Sequence, residues 1–453
     1  RDRGLEAALE SLCAAGVYLT HEEFKGRTPL VRSGKEIPAS AAAFDNPSAP
    51  GFIESTSGGT SGKPTPTRIS AASQTYREAY ALLRQQDLGL AGRVQIQVRP
   101  LLPSPTGLLA GISFRRSGNP VSDWFAPPGR LRDSGHYTAV TLLLVSLARA
   151  RGAGIPFPKF LPENDFSPVA RRIAECRGRR RPVAVFTYAS SAVRVAAAAR
   201  DLGLDIEGTL FVSSGEALTG AKRAAIEAAG CAAYPTYWIN EIGPVGFCCG
   251  QVRSGNCVHL FRDSLAAILR KRVEPLSGAA VGALALTTLQ PLAPRFLINT
   301  EAGDTGALET ADCDCVYSRA GLTTRIADIA SFGKLTGQGM NVAGEDIVRI
   351  LEESLPARFG GAPGDYQLIE REGGSQTQLL LRVSPRTGCR EEAVIAEYFL
   401  NRLRSEFGGT LAARVWQHAG AFQVVLEEPL RTSLGKVQPL VLLRMEGRAT
   451  HGS

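Results

Sequence analysis

A chain of 453 residues is too long to close around one ordinary core, so two or three packed units are expected. Hydrophobic residues at 44% and charged residues at 21% are globular values, and no apolar run approaches the roughly eighteen residues a membrane span needs. The net charge of +8 comes largely from scattered arginines without a basic, aromatic-interleaved stripe; this weighs against nucleic acid and favours an anionic small partner such as a nucleotide or CoA.

Residues 1–50 predict a helix and then loop. The first ten are charged and amphipathic, without the apolar core of a secretory leader, and Pro29, Pro38, Pro47 and Pro50 break the remainder of this stretch. A Gly/Ser/Thr-rich loop covers residues 55–67. Residues 70–90 carry a helical period through Tyr76, Tyr80, Leu83 and Leu88, and residues 94–98 alternate like a strand. Residues 137–150 form a long apolar helix. Positive charge concentrates only at residues 177–181, where a solvated loop explains it.

From Val183 the pattern alternates. Strands are expected at 183–186 and 209–212, with helices at 191–202 and 220–229 ending near Gly203 and Gly230. Such alternation implies a parallel or mixed sheet covered by helices. Residues 280–310 read as strands interrupted at Pro291 and Pro294. After Asp328 a Gly-rich stretch leads into a compact α+β unit: helices at 345–353 and 391–407, strands at 366–370, 378–383, 413–418 and 422–426. Nine cysteines, an odd number spread along a large chain, argue against a disulfide framework and for a reducing, cytoplasmic setting.

Thr56-Ser57-Gly58-Gly59-Thr60-Ser61-Gly62-Lys63-Pro64-Thr65 is the first segment with chemistry in it. Its glycines permit positive φ and close backbone approach, its hydroxyls and amides can surround phosphate oxygens, and Lys63 adds charge. It lacks Walker spacing, and a plain linker is the competing reading. Cys248, Cys249, Cys257 and His259 cluster, with Cys313 and Cys315 downstream; thiolates plus one imidazole suit tetrahedral zinc, and buried free thiols are the alternative. Trp124, Phe125 and Trp238 could line an aromatic pocket or simply pack a core, and His136 and Tyr137 either face a substrate or begin a surface helix.

The 56–65 segment resembles the phosphate loop of the adenylate-forming superfamily, Ser/Thr-Ser-Gly-Ser/Thr-Thr-Gly-x-Pro. Four further segments match in order. Phe211-Val212-Ser213-Ser214-Gly215-Glu216-Ala217-Leu218 resembles the Ser-Gly-Glu-x-Leu loop that lies against adenine. Tyr237-Trp238-Ile239-Asn240-Glu241-Ile242-Gly243-Pro244 is similar to Tyr-Gly-x-Thr-Glu-x-Gly-Pro, which implies stacking on adenine by Tyr237, a phosphate contact by Asn240 and Mg²⁺ held by Glu241. Trp238 replaces a glycine there and narrows the acyl pocket, while Asn240 replaces a threonine. Gly303-Asp304-Thr305-Gly306 resembles Thr-Gly-Asp-x-Gly, which implies that Asp304 binds the ribose; Glu301 and Ala302 depart from the usual Arg and Thr. Pro429-Leu430-Arg431-Thr432-Ser433-Leu434-Gly435-Lys436-Val437 resembles Pro-Arg-Thr-x-x-Gly-Lys-Ile/Val, whose lysine reaches the carboxylate and the α-phosphate.

Within the superfamily the chain is most similar to phenylacetate-CoA ligase-like enzymes, through Tyr188-Ala189-Ser190-Ser191-Ala192, Glu241-Ile242-Gly243-Pro244 and the Cys-x-Cys at Cys313 and Cys315. That subgroup carries thiols and a histidine in similar places, which implies Zn²⁺ on Cys249, His259, Cys313 and Cys315, with Cys257 as a substitute. The hinge resemblance is distant, through Arg325-Ile326-Ala327-Asp328 and Ser331-Phe332-Gly333-Lys334, and implies a ribose contact for Arg325. The implied fold is α/β: a large adenylation domain of mixed sheets and helices over residues 1–327, and a small mobile α+β domain over 328–453. The implied activity is ATP-dependent conversion of a small acid, aryl or otherwise, to acyl-AMP, then transfer to CoA. An amine or carrier-protein acceptor, and activation of nitrite to diazotise an aryl amine, are alternatives raised by Asn240, Glu301, Ala302 and Pro439. A nucleotide-binding homologue without catalysis is disfavoured by Glu241, Asp304 and Lys436. No nucleic-acid or membrane partner is implied, and homodimerisation is left open.

This chemistry asks little of a protein nucleophile. A carboxylate attacks the α-phosphorus in line as pyrophosphate leaves, so the demands are positioning and charge neutralisation. Five histidines, with no Ser-His-Asp or zinc-protease arrangement, fit that picture.

Overall fold

The computed structural model describes residues 4–26, 28–38, 40–49, 52–56, 66–70, 73–102, 104–127, 135–162, 165–239, 241–252, 255–273, 280–331, 344–373, 376–405, 422–431 and 435–444. The Gly/Ser/Thr loop from Ser57 to Thr65, Asn240, the Gly-rich stretch 332–343 and the expected strand at 413–418 lie outside them.

One twelve-stranded sheet organises most of the chain. Its parallel half runs Pro158–Phe160, Val121–Ala126, Val94–Val98, Val183–Thr187, Leu210–Ser214 and Ala232–Ile239, side by side in that order. Its antiparallel half continues through Gly243–Phe247, Val258–Leu260, Thr324–Ser331, Thr300–Thr310, Ala280–Thr288 and Leu265–Val273. The chain lays down Val94–Val98, moves outward for two strands, then returns to the other side with Val183–Thr187. That reversal leaves a crevice at the carboxyl ends of the strands, the place where open α/β sheets bind ligands.

Helices cover the parallel half because each crossover must return over the sheet. Thr219 caps the helix Gly220–Glu227, its hydroxyl accepting from the Lys222 amide at 3.3 Å. The helix Ala189–Asp201, rich in Ala, Ser and Val, is buried along nearly its whole length. It packs with Ile96, Val185, Phe211 and Ile173 in the largest core cluster.

The strand Val94–Val98 is buried on both faces, so its alternation does not mark a solvent side. Gln95 and Gln97 donate to the carbonyls of Leu90 and Gly107 at 3.0 and 3.2 Å, which satisfies their amide nitrogens inside the protein. The apolar helix Gly135–Ala150 buries only Thr141 and Val145.

The carboxyl-terminal unit has its own four-stranded sheet, in the order Phe422–Val425, Gln376–Val383, Tyr366–Gly373 and Leu440–Arg444. Ile347, Leu351, Leu368, Leu381, Ile395 and Phe399 close its core against flanking helices. The helix expected at 391–407 is Glu392–Arg404; the strand Leu440–Arg444 was not expected.

Buried charges join the two units. Lys222 Nζ lies 2.8 Å from Glu352 Oε1, with both side chains almost inaccessible. That contact is an ion pair without hydrogen-bond alignment; the hydrogen bond to the other carboxylate oxygen comes from the Thr219 hydroxyl. Arg194 adds longer contacts to Asp365 and Glu428, at 3.8 and 3.9 Å. Among the described residues no helix is long and apolar enough to cross a membrane.

Candidate active site

A cavity of about 460 Å³ opens at the carboxyl ends of the parallel strands. Its first end is built from turns. The strand Leu210–Ser214 stops at Gly215, whose φ of +74° only glycine holds without strain. A Cβ there would sit 2.5 Å from Lys436 Nζ, the mobile tip of that side chain, so it is the positive φ that calls for glycine. Ser214 accepts a hydrogen bond from Arg99 at 2.7 Å. Glu216 turns back to accept from the amide and hydroxyl of Ser190, at 2.8 and 2.9 Å, in the first turn of the helix Ala189–Asp201. A carboxylate at that helix terminus is favourable and fixes the loop.

The strand Ala232–Ile239 pairs in parallel with Leu210–Ser214 and antiparallel with Gly243–Phe247, and its register shifts between Tyr237 and Trp238. The irregularity re-aims successive side chains at the seam of the sheet. Tyr237 and Trp238 both line the cavity. The Tyr237 hydroxyl donates to the Asp304 carboxylate at 2.6 Å. Burial, with Asp304 beside it, raises the Tyr237 pKa well above its usual value, so this proton stays on the phenol.

Lys436 enters from the carboxyl-terminal unit. The turn that presents it is closed by a bridge between Arg431 and Val437. Its Nζ donates to the Gly215 carbonyl at 2.9 Å and lies 5.0 Å from the Tyr188 ring. Glu241, only 5% exposed, lines the same cavity and pairs with Lys25, 216 positions earlier.

Ser214, Gly215, Glu216, Tyr237, Trp238, Glu241, Asp304 and Lys436 therefore meet around one space. Arg325 does not line it. On Thr324–Ser331 it stands opposite His259 and Glu309, and its guanidinium turns to Asp312 and Glu309 at 3.1 and 3.7 Å. Those carboxylates hold it off the cavity lining, where the ribose contact was expected. Thr56 is placed by backbone alone, opposite Pro66. Ser57, Gly58, Gly59, Thr60, Ser61, Gly62, Lys63 and Asn240 fall outside the described residues.

Trp124 and Phe125 are core residues; Trp124 packs with Val145 and Ile155 and donates to the Arg99 carbonyl at 2.9 Å. The His136 and Tyr137 rings touch in a tilted pair, centres 3.9 Å apart, at a helix start away from the cavity lining. The unusual Glu301 is structural: it is buried, accepts from the His21 amide and is held by Arg270 and Arg272.

Sequence reasoning missed Lys25, Arg77, Arg84 and Arg99. Arg77 and Arg84 lie seven apart on the helix Ser73–Asp87, two turns along one face. That spacing was the available signal, hidden by reading the helix for its apolar stripe. Lys25 gave no local signal at all.

A second cluster sits outside the cavity. Donor atoms of Cys249, His259, Cys313 and Cys315 all lie within 4.8 Å of one another. The Cys313 sulfur is 3.9 Å from that of Cys249 and 3.7 Å from that of Cys315, and both Cys313 and Cys315 approach His259 Nε2, at 3.3 and 3.4 Å. Tetrahedral zinc with Zn–S near 2.3 Å implies sulfurs ~3.8 Å apart, so the donors fit. His259 Nδ1 lies 2.8 Å from the Leu322 carbonyl, the partner that frees Nε2 for a metal. Burial lowers the His259 pKa, favouring the neutral imidazole a metal requires. Cys257 stands apart from the four and faces Cys248.

No protein-family model matches the chain, and no curated protein matches it. Solved structures do. The chain is similar to 2-hydroxyisobutyryl-CoA ligase in the postadenylation state with 2-HIB-AMP: TM-score 0.55 and 14% identity, over 94% of this chain and 79% of that one. Against the same ligase with R3-HIB-AMP the TM-score is 0.54 at 15% identity, over 94% and 79%. The chain thus has the fold of the adenylate-forming acid ligases, with the large mixed sheet and the small carboxyl-terminal sheet unit both present.

Proposed function

We propose that this chain is an AMP-forming acid ligase that activates a small carboxylic acid with ATP and then passes the acyl group to CoA. The observation that carries the reading is convergence: Lys436, the Ser214-Gly215-Glu216 turn, the Tyr237–Asp304 pair and Glu241 line one crevice. In the first half-reaction a carboxylate oxygen of the acid bonds to the α-phosphorus as the bond to pyrophosphate breaks. In the second, the CoA sulfur attacks the acyl carbon and AMP leaves with the bridging oxygen.

Each residue has work suited to its place. Tyr237 offers a ring face to the base and, through its hydroxyl, orients the Asp304 carboxylate toward the ribose hydroxyls. Lys436 brings a cation to the oxygens that gather charge as the α-phosphorus is attacked, an interaction that strengthens toward the transition state. The phosphate-loop segment 56–63 and Asn240 are assigned to phosphate binding by their resemblance. Glu241 is a buried carboxylate that already draws an ammonium, so it suits Mg²⁺ completed by phosphate oxygens. That ion would neutralise phosphate charge. Cys249, His259, Cys313 and Cys315 would hold structural Zn²⁺, tying the end of the Val258–Leu260 strand to the loop before residue 316. One zinc per chain is expected after purification without added metal; sub-stoichiometric zinc overturns this assignment.

The boundary expected at 327/328 falls inside the strand Thr324–Ser331 of the large sheet, and the pivot we assign there is Asp328, which holds a φ of +50°. Such a residue is a reasonable pivot for the two half-reactions. The deciding experiment is acid-dependent pyrophosphate release across a panel that includes aryl acids, aliphatic acids and nitrite. Mass analysis with CoA, amines or a carrier thiol then identifies the acceptor. No acid-dependent release under any condition removes the proposal.

A further inference from the structure

The far end of the cavity differs in kind from the nucleotide end. Arg84 reaches into it from the helix Ser73–Asp87, seven residues beyond Arg77, so the two Cα atoms are about 10 Å apart along the axis. Phe114, Phe186 and Phe247 surround the Arg84 guanidinium, their ring centres 5.9, 5.1 and 4.7 Å away. Its Nε has no hydrogen-bond partner, and among the described residues no carboxylate pairs with it. Arg77 repeats the pattern nearer the centre: its guanidinium lies 5.5 Å from the Trp238 ring and its Nε is also unpartnered. Both side chains line the cavity, Arg84 buried and Arg77 partly so, and burial pushes each pKa down only to about 10, so both stay cationic at neutral pH.

Burying a guanidinium without a counterion is costly, and three aromatic faces offset only part of it. Elsewhere the chain pairs its buried charges, as Lys222 with Glu352, Glu301 with Arg270 and Arg272, and Asp45 with Arg295. A cation left unpaired in a ligand cavity has its partner supplied by the ligand. We propose that the acid this site activates carries a second anionic group, a carboxylate in the simplest case, which pairs with Arg84 while the reacting carboxylate lies toward Lys436. The three phenylalanines favour a flat or apolar spacer between the two groups. The inference rests on the ligase reading and names its substrate class: dicarboxylic acids of aryl or short-chain type. Arg84 is then a specificity residue, its planar fork suited to a carboxylate.

The test compares matched pairs in the pyrophosphate assay: terephthalate against benzoate, and adipate against hexanoate. Wild-type protein is expected to prefer the diacid of a pair. In Arg84→Met the diacid-to-monoacid ratio of kcat/KM should fall by about 100-fold, and Arg84→Lys should recover part of it. Equal or better use of the monoacids by wild type overturns the proposal, as does Arg84→Met lowering both members of a pair equally. Calorimetric binding of the same pairs separates the two readings if no acid releases pyrophosphate. Selective, Arg84-dependent diacid binding supports the anion site while the ligase reading falls; absence of that selectivity overturns the site. AMP binding by Arg84→Met checks that the variant is folded.

Discussion

The two ends of the cavity treat charge in opposite ways. At the end proposed for the nucleotide the charged and polar groups are tied to one another: Glu216 to Ser190, Asp304 to Tyr237, Glu241 to Lys25, Lys436 to the Gly215 carbonyl. At the other end, proposed for the acid, Arg77 and Arg84 lie against aromatic rings, and among the described residues no carboxylate pairs with them. A self-satisfied surface is preorganised and can hold its shape before the ligand arrives, whereas an unpaired one is completed by the ligand and so discriminates between ligands. The same contrast separates the acid end from the junction between the units, where Lys222 and Glu352 are buried as a pair.

The largest expected effect probes that junction. Lys222→Met strands the Glu352 carboxylate in the interior and should cost about 3–5 kcal/mol in denaturant unfolding. The double variant Lys222→Met, Glu352→Leu removes both charges and should return to within about 1 kcal/mol of wild type. Equal destabilisation in single and double variants would break the comparison, because the pair would then matter through its shape alone. Lys436→Ala comes next. Removing one cation aimed at the transition state should lower adenylation by roughly 10²–10³, read by pyrophosphate release in a single turnover, and an unchanged rate counts against its assigned place. Tyr237→Phe is smaller. Losing a hydroxyl that holds a carboxylate should raise KM for ATP about tenfold, with kcat changed much less; a fall in kcat alone would mean that Tyr237 serves the chemistry and not the nucleotide.

How well each region could be read from sequence depends on the same physics. Ser214 to Glu216, Tyr237 to Glu241, and Gly435-Lys436 belong to short segments whose turn chemistry dictates local residue types, so their signals survive without a structure. The alternation of strands and helices from Val183 to Ala229 was visible for a similar reason: each crossover needs its own period and its own stop. Arg84 was obscured because an arginine on an amphipathic helix ordinarily faces water, and nothing local says that three phenylalanines from Thr106–Arg116, Val183–Thr187 and Gly243–Phe247 close over it. Lys25 meets Glu241 only through tertiary folding. Gln95 and Gln97 imitated an exposed face because amide nitrogens satisfied by backbone carbonyls look no different, in sequence, from solvated ones. Arg325 kept the expected residue type, but cross-strand partners decided its direction.

The smallest effect is a pH dependence at the paired junction. Burial alone would lower the Lys222 pKa, but Glu352, with Glu216 further off, carries it above the ordinary 10.5. A lysine whose folded pKa is raised binds its proton more tightly in the folded chain than in the unfolded one. Its contribution is therefore complete below the unfolded value and fades as pH climbs through the folded one. Wild type should lose stability relative to the double variant Lys222→Met, Glu352→Leu only above about pH 10, and the difference should stay flat between about pH 7 and 9. Arg84 should go the other way: burial lowers its folded pKa to about 10, below its ordinary value, so wild type should gain stability relative to Arg84→Met as pH rises above about 10, and the difference should stay flat at neutral pH. A loss of stability over that interval, of the same sign as at Lys222, would mean that Arg84 is paired with a carboxylate after all, and the contrast between the two regions would dissolve.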